Sequence, residues 1–243
     1  MRLARLGIAL IIVFGCNKPQ APDCFQKAGE IVSIERSFNS IIKSLELHDF
    51  IHVTLIHNNE NKVIVSGPEN LLPEVITSLS DGTLLIDDEN SCDWVRSFDV
   101  QPRVIVMAEV NQITNYSQGN IESFGPISEN RFDIDNWQAT GQINLELDCD
   151  SVFYRNHTGV STTSLYGSSK YTYIYHNGLG PIDSQGLFSQ KTSIRSNSIN
   201  DVSIFADEKL VAWIEGSGNI MYSGNPEEII VIQDGNGEVI SID

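Results

Sequence analysis

Short runs of alternating apolar and polar residues fill most of the chain, and Gly, Asn and Asp punctuate them. In "FIHVTLIHNNENKVIVSG" (50–67) the alternation stands on both sides of "HNNEN". It predicts a β-strand, a turn at Asn58–Asn59 and a returning strand, an N-terminal hairpin. In "PENLLPEVITSLSDG" (68–82), Leu71, Leu72, Val75, Ile76 and Leu79 recur at helical spacing and Gly82 follows as a stop. This predicts one short helix. "TLLIDD" and "RVIVMAEV" are apolar and β-branched, and beyond Asn111 strand signals alternate with glycine and asparagine to the end.

The later half repeats itself. The motif small-x-Gly-polar-Ile occurs as "SQGNI" at Gly119, "ATGQI" at Gly141, "HTGVS" at Gly159, "LGPI" at Gly180, "INDV" at Asn200, "GSGNI" at Gly218 and "GNGEV" at Gly237, in steps of 18 to 22 residues. Apolar pairs flank these corners: Ile113 and Ile121, Ile134 and Ile143, Ile174 and Ile182, Ile194 and Val202, Ile214 and Ile220, Ile232 and Val239. A unit of this length cannot bury its apolar face alone, but coils stacked on one another can. The expected fold is all-β, a parallel β-helix-like solenoid with repeats from about residue 111. An antiparallel β-sandwich is the rival, because turn signals at this spacing suit it too.

The first residues stand apart from this pattern. Arg2 and Arg5 precede the uninterrupted apolar run Leu6–Phe14, and "VFGC" closes it at Cys16. Residues 1–15 read as a secretory signal, and "VFGC" resembles the bacterial lipobox, which makes Cys16 the expected lipidated first residue of an outer-membrane lipoprotein. Residues 16–30, with Pro19, Pro22 and Gly29, read as a tether, and 31–243 as one domain. Without Arg2 and Arg5 the chain carries 13 basic against 32 acidic residues, a net charge of −19. Such a surface repels nucleic acid and anionic lipid. In an exported compartment a disulfide is permitted. Cys24 and Cys92 lie in polar, loop-like surroundings and are the expected pair, whereas Cys149 follows the alternating "QINLELDC" and is expected as a free, half-buried thiol. No two cysteines have zinc-finger spacing.

Residues from about 38 to 232 resemble the auto-transporter adhesins with a head GIN domain, exported proteins of Bacteroidetes and related bacteria. The likeness is carried by the stretch from "FIHVTLIHNNENKVIVSG" through "PENLLPEVITSLSDGTLLI", by "NSCDWVRSF", and by the "SQGNI" and "GSGNI" corners. The resemblance implies a right-handed β-helix-like fold, export, an adhesin-like role and a Cys24–Cys92 pair. It carries over no catalytic residue.

Candidate chemistry is sparse. "EGSGNIMYSG" (215–224) has glycines two apart, as a phosphate cradle does, but no lysine follows Lys209 and "NIMYS" continues as strand, so the stretch reads as a solenoid corner. His48, His52 and His57 cluster in sequence, but on a strand His52 and His57 face opposite ways, so no metal site is expected. "DIDN" (133–136) and "DGNGE" (234–238) offer part of a calcium shell, and equally suit turns. No G-x-S-x-G, H-E-x-x-H or P-loop motif is present. Asp148 with Asp150, or Asp133 with Asp135, share a strand face about 7 Å apart, a spacing compatible with glycosidase chemistry. Tyr116, Trp137, Tyr154, Tyr175 and Trp213 each precede a corner by a few residues. Stacked coils would align them as an exposed binding column or as a packing ladder. The expected function is a non-catalytic, lipid-anchored envelope protein, on the cell surface or in the periplasm, with a structural role or an adhesin-like one that binds glycan, matrix or a neighbouring envelope protein. The alternative is a polysaccharide-cleaving enzyme.

Overall fold

The computed structural model describes residues 29–90 and 101–242. Cys16, Cys24 and Cys92 lie outside the described residues, as do the signal segment 1–15 and nearly all of the tether.

About 60 % of the structure is strand and 1 % helix, and the strands are wound as a β-solenoid of about six turns. The strands form two parallel stacks. The first stack runs Ser44–Leu47, Gln112–Asn115, Arg131–Asn136, the second halves of Gln142–Asn156 and Thr162–His176, then Leu187–Ser196, Lys209–Ile214 and Glu228–Gln233. The second runs His52–Ile56, Ile121–Ser123, the first halves of the two long strands, then Ile182–Ser184, Val202–Phe205, Ile220–Ser223 and Val239–Ser241. The sandwich rival is thereby excluded. Antiparallel pairing among the described residues is confined to the N-terminal end: Ile31–Ser37 with Lys62–Pro68, Lys62–Pro68 with Arg103–Met107, and Val75–Ser80 with Thr83–Asp88.

Two sequence expectations fail at that end. The strands either side of Asn58–Asn59 do not pair with each other, because Arg103–Met107 lies between them, parallel to His52–Ile56 and antiparallel to Lys62–Pro68. The expected helix is a single 3-10 turn at Leu72–Glu74 followed by the strand Val75–Ser80. Asp81 and Gly82 have φ of 49° and 82°, the two left-handed residues of a primed two-residue hairpin turn. Gly82 therefore closes a hairpin rather than stopping a helix. Pairing to the neighbouring sheet outweighed the helical spacing, which "VITSLS" also satisfies as a β-branched strand.

Register fixes what lies inside. One interior column is Ile113, Ile134, Tyr154, Ile174, Ile194 and Ala212, ending at the exposed Val231, and another is Ile121, Ile143, Thr163, Ile182, Val202 and Ile220, ending at the half-buried Val239. Burying each large apolar side chain contributes about 1.5–3 kcal/mol. Ile232 is not in the column assigned to it: it pairs with Trp213 and points outward. The corner series is also corrected at one copy. Ser161, two residues before Thr163, stacks between Gly141 and Gly180, whereas Gly159 lies over Ala139.

Next to the isoleucine column runs a polar one: Asn115, Asn136, Asn156, His176 and Ser196, all essentially without exposure. The Asn115 amide donates to Asn136 Oδ1 at 2.7 Å, and the Asn136 amide donates to Asn156 Oδ1 at 3.4 Å and to Ser161 Oγ at 2.5 Å. Asparagine suits a buried column because its amide both donates and accepts, so Asn115, Asn136 and Asn156 link one coil to the next. His176 continues the column by donating from Nε2 to the Gly180 carbonyl at 3.0 Å.

Candidate functional site

The outer face of the first stack gathers the aromatic side chains. Strand alternation in "YTYIY" turns Tyr171, Tyr173 and Tyr175 outward and Thr172 and Ile174 inward. Parallel register then sets Phe153 beside Tyr173, Arg155 beside Tyr175, and Tyr175, Arg195 and Trp213 on three successive coils. Phe153 lies 5.8 Å from Tyr171 and 6.1 Å from Tyr173 between ring centres, and the Arg131 guanidinium sits 4.0 Å above the Phe153 ring. These rings are half-buried, and the Arg131 guanidinium covers one face of Phe153.

Arginine and aspartate brace the platform. Arg155 donates to both oxygens of Asp135, at 2.8 and 2.9 Å, and to Asp133 at 2.7 Å, and Arg131 donates to both Asp133 oxygens. Arg195 forks onto Glu215 at 2.9 and 2.6 Å. Burial works against the Asp133 and Asp135 carboxylates, but hydrogen bonds from the arginines, and from His157 to Asp135, outweigh it and hold both below the ordinary carboxylate value. Asp135 and then Asp133 in turn raise Arg155 above its ordinary value. Along the adjoining corner His48 stacks on Tyr116 at 4.9 Å, and Trp137 on His157 at 3.8 Å and 5°.

Of the residues expected to form one column, Tyr175 and Trp213 share a row of this face, and Trp137 and Tyr116 stand on the corner beside it. Tyr154 is a correction. It is fully buried in the isoleucine column, its hydroxyl shares a 2.6 Å hydrogen bond with Thr163, and burial pushes it up to about 12. One residue of strand register separates its inward position from the outward Phe153 and Arg155. Phe153, Tyr171 and Tyr173 were missed, although Y-x-Y-x-Y is an alternation signal for outward rings.

A second feature lies where the long strands bend between the stacks. A cleft of about 720 Å³ is walled by Glu129, Asp148, Asp150, Lys170 and Asp207, with Phe188 at its edge. Phe188 is 60 % exposed and is braced edge-to-face by Phe205 at 5.1 Å. Asp148 and Asp150 do share an outer face, but Ser168 donates to Asp148 at 2.7 Å and Lys170 pairs with Asp150 at 2.6 Å. Glu129 has its carboxyl raised, chiefly by burial and then by Glu109, against an opposing pull from His57. Cys149 is buried more deeply than expected: its thiol donates to the Ile127 carbonyl at 3.3 Å, and burial pushes it up to about 11.

The calcium candidates disperse. Asp133 and Asp135 are taken up by arginine, Asn136 is inside, and the corner at Asp234–Glu238 bonds through backbone N–H groups to Ile214 and Gly216. His48 bonds Glu46, and His52 Nδ1 accepts from the Asn120 amide. No group of three or more His, Cys, Asp or Glu among the described residues is placed to hold a metal.

Residues 42–226 match the family described as "Putative auto-transporter adhesin, head GIN domain". The chain belongs to that family. Solved structures share the GIN-domain fold at low identity. A putative adhesin from Bacteroides fragilis NCTC 9343 is 18 % identical over 88 % of this chain and 97 % of its own, with a TM-score of 0.80. One from Parabacteroides distasonis ATCC 8503 is 17 % identical over 88 % and 98 %, with a TM-score of 0.60. A protein of the same organism described as a putative lipid binding protein is 18 % identical over 88 % and 98 %, with a TM-score of 0.53. No curated protein matches the chain. No helix among the described residues is long and apolar enough to cross a membrane.

Proposed function

We propose that this GIN-domain protein is an exported, non-catalytic, adhesin-like protein of the cell envelope that binds a glycan chain across the Phe153, Tyr171, Tyr173, Tyr175 and Trp213 face. The observation that carries this reading is the outward placement of Phe153 and the three tyrosines on adjacent coils, with Trp213 two coils further on beyond Arg195, beside the Arg131 and Arg155 guanidinium groups. Coils repeat about every 4.8 Å, so a row of rings offers stacking surfaces along an extended chain. Apolar sugar faces stack on rings while hydroxyls meet the arginine and aspartate pairs. A matrix or envelope protein is the other occupant this surface would suit. Lipidation at Cys16 anchors the protein to the outer membrane, and a Cys24–Cys92 disulfide ties the tether to the domain.

A glycan array with the unsubstituted protein and a Tyr173→Ala/Tyr175→Ala variant tests the binding reading. Retained glycans lost by the variant, with unchanged melting, support it; no retained glycan, or retention that the variant does not alter, overturns it. Labelling with a radioactive fatty acid, present in the parent and absent in Cys16→Ser, tests the anchor. The cleft supports polysaccharide cleavage as a second reading, because the carboxylates of Glu129, Asp148 and Asp150 wall it together. Reducing-sugar release abolished by Glu129→Gln would establish it.

A further inference from the structure

The two ends of the solenoid are finished differently. At the N-terminal end the antiparallel strands are tied down by Arg36, which donates to the carbonyls of Val75 at 2.6 Å and Leu72 at 3.1 Å and to the Thr77 hydroxyl at 2.8 Å. The C-terminal end has no such cover among the described residues. Glu228–Gln233, "EIIVIQ", pairs on one side with Lys209–Ile214, and no described strand pairs with its other side. Ile229, Ile230, Val231 and Ile232 are 38–44 % exposed, and Ile240 and Ile242, at the end of the second stack, are 37 % and 40 % exposed. Solenoids end in polar caps as a rule, and an apolar open strand is a template for pairing.

We propose that a second copy of this chain covers this end, with Glu228–Gln233 of the two copies pairing antiparallel about a two-fold axis. Backbone direction limits the register. The Glu228 N–H bonds to Glu208 and the Asp234 N–H to Ile214, so even-numbered N–H groups face the protein's own sheet and those of Ile229 and Val231 face the open edge. An antiparallel ladder sets residues of the same facing opposite each other, which leaves two central registers. With Val231 opposite itself, Glu228 meets Asp234 of the other copy, and like charges face each other. With Ile230 opposite itself, Ile229 meets Val231, Glu228 meets Ile232, and no like charges are opposed. The second register joins the exposed apolar ends and gives the edge amides acceptors.

The two-fold arrangement closes, whereas stacking this end on the Arg36-capped end of another copy would propagate a fibre. Net charge of −17 per chain opposes the pairing over distance, so the dimer strengthens as salt screens it.

Sedimentation equilibrium on the full chain, with Cys16→Ser to remove any lipid, tests the proposal from about 1 to 100 μM. The expected result is twice the chain mass at high concentration. Ile230→Lys and Ile230→Glu should each be monomeric, since either sets like charges together, and an equimolar mixture should restore the double mass. A monomeric unsubstituted chain, or folded variants whose mixture stays monomeric, would overturn it. Hydrogen exchange on the unsubstituted chain is a second reading: protection of the Ile229 and Val231 amides should rise with concentration, and protection that ignores concentration would sink the idea.

Discussion

Gly141 lies so close beneath the preceding coil that a β-carbon on it would stand 1.9 Å from the Gly119 carbonyl oxygen. The obstacle is backbone whose neighbours are tied to the coil before it, the Gln118 N–H donating to the Asp49 carbonyl and the Asn120 carbonyl accepting from Val53, so it cannot step aside as a side chain would. Gly141→Ala should therefore cost about 3 kcal/mol or more, at or beyond the upper end of ordinary overpacking. Gly125, with φ of 84° and nothing within 4 Å of an added β-carbon, should lose only about 1–2 kcal/mol as alanine. Urea midpoints of the two variants check this, and equal losses would contradict the coil contact.

The asparagine column gives a second expectation. Asn136→Ala strips Asn115 of its acceptor and Asn156 of a donor in a site with no exposure, and should cost about 2–3 kcal/mol. Gln142→Ala, on an exposed outward position, should stay within about 0.5 kcal/mol. Chemical denaturation of both reads the difference.

Stability should fall in acid in two stages. Burial lowers His176, and burial followed by Arg103 lowers His52, below the ordinary imidazole value of 6.5. The unfolded chain therefore takes up these protons first, and stability declines as pH drops below about 6.5. Asp133 and Asp135, held below 3.8, add stability that is complete above that value and is lost as pH falls through their lower folded values. Urea midpoints from pH 8 to 3 should show both stages, and His176→Asn should flatten the first. A midpoint independent of pH between 7 and 5 would refute the histidine assignment.

The Cys149 thiol, buried and raised to about 11, should resist iodoacetamide at pH 8 in the folded protein and react once the protein is unfolded in urea. Peptide mass spectrometry resolves the residue, and labelling of the native protein would show that the bend between the stacks opens.

How legible the chain is depends on the distance over which each signal acts. The corners at Gly119, Gly141, Gly180 and Gly218 were readable because coil-on-coil contact excludes a β-carbon there and leaves a mark in composition. At Ser161 the mark is absent, and the alignment slid by two residues to Gly159. The recurring pairs Asn115–Tyr116, Asn136–Trp137 and Asn156–His157 carried the polar column at the same period. Without a register they do not say which member faces inward.

By itself the sequence determined the all-β class, the period near twenty and the stacking of coils, since apolar alternation and the need for small corner residues are local demands repeated in every turn. It also pointed to the family, through the resemblance that residues 50–86 carry. Only the tertiary structure decided that Arg103–Met107 separates two strands that read as a hairpin, that Tyr154 is core while Phe153 and Arg155 are surface, and that Glu228–Gln233 keeps an open apolar edge. Each is a matter of which distant strand supplies the neighbouring ladder. With a side-chain period of two, a single residue of register turns a core position into a surface one.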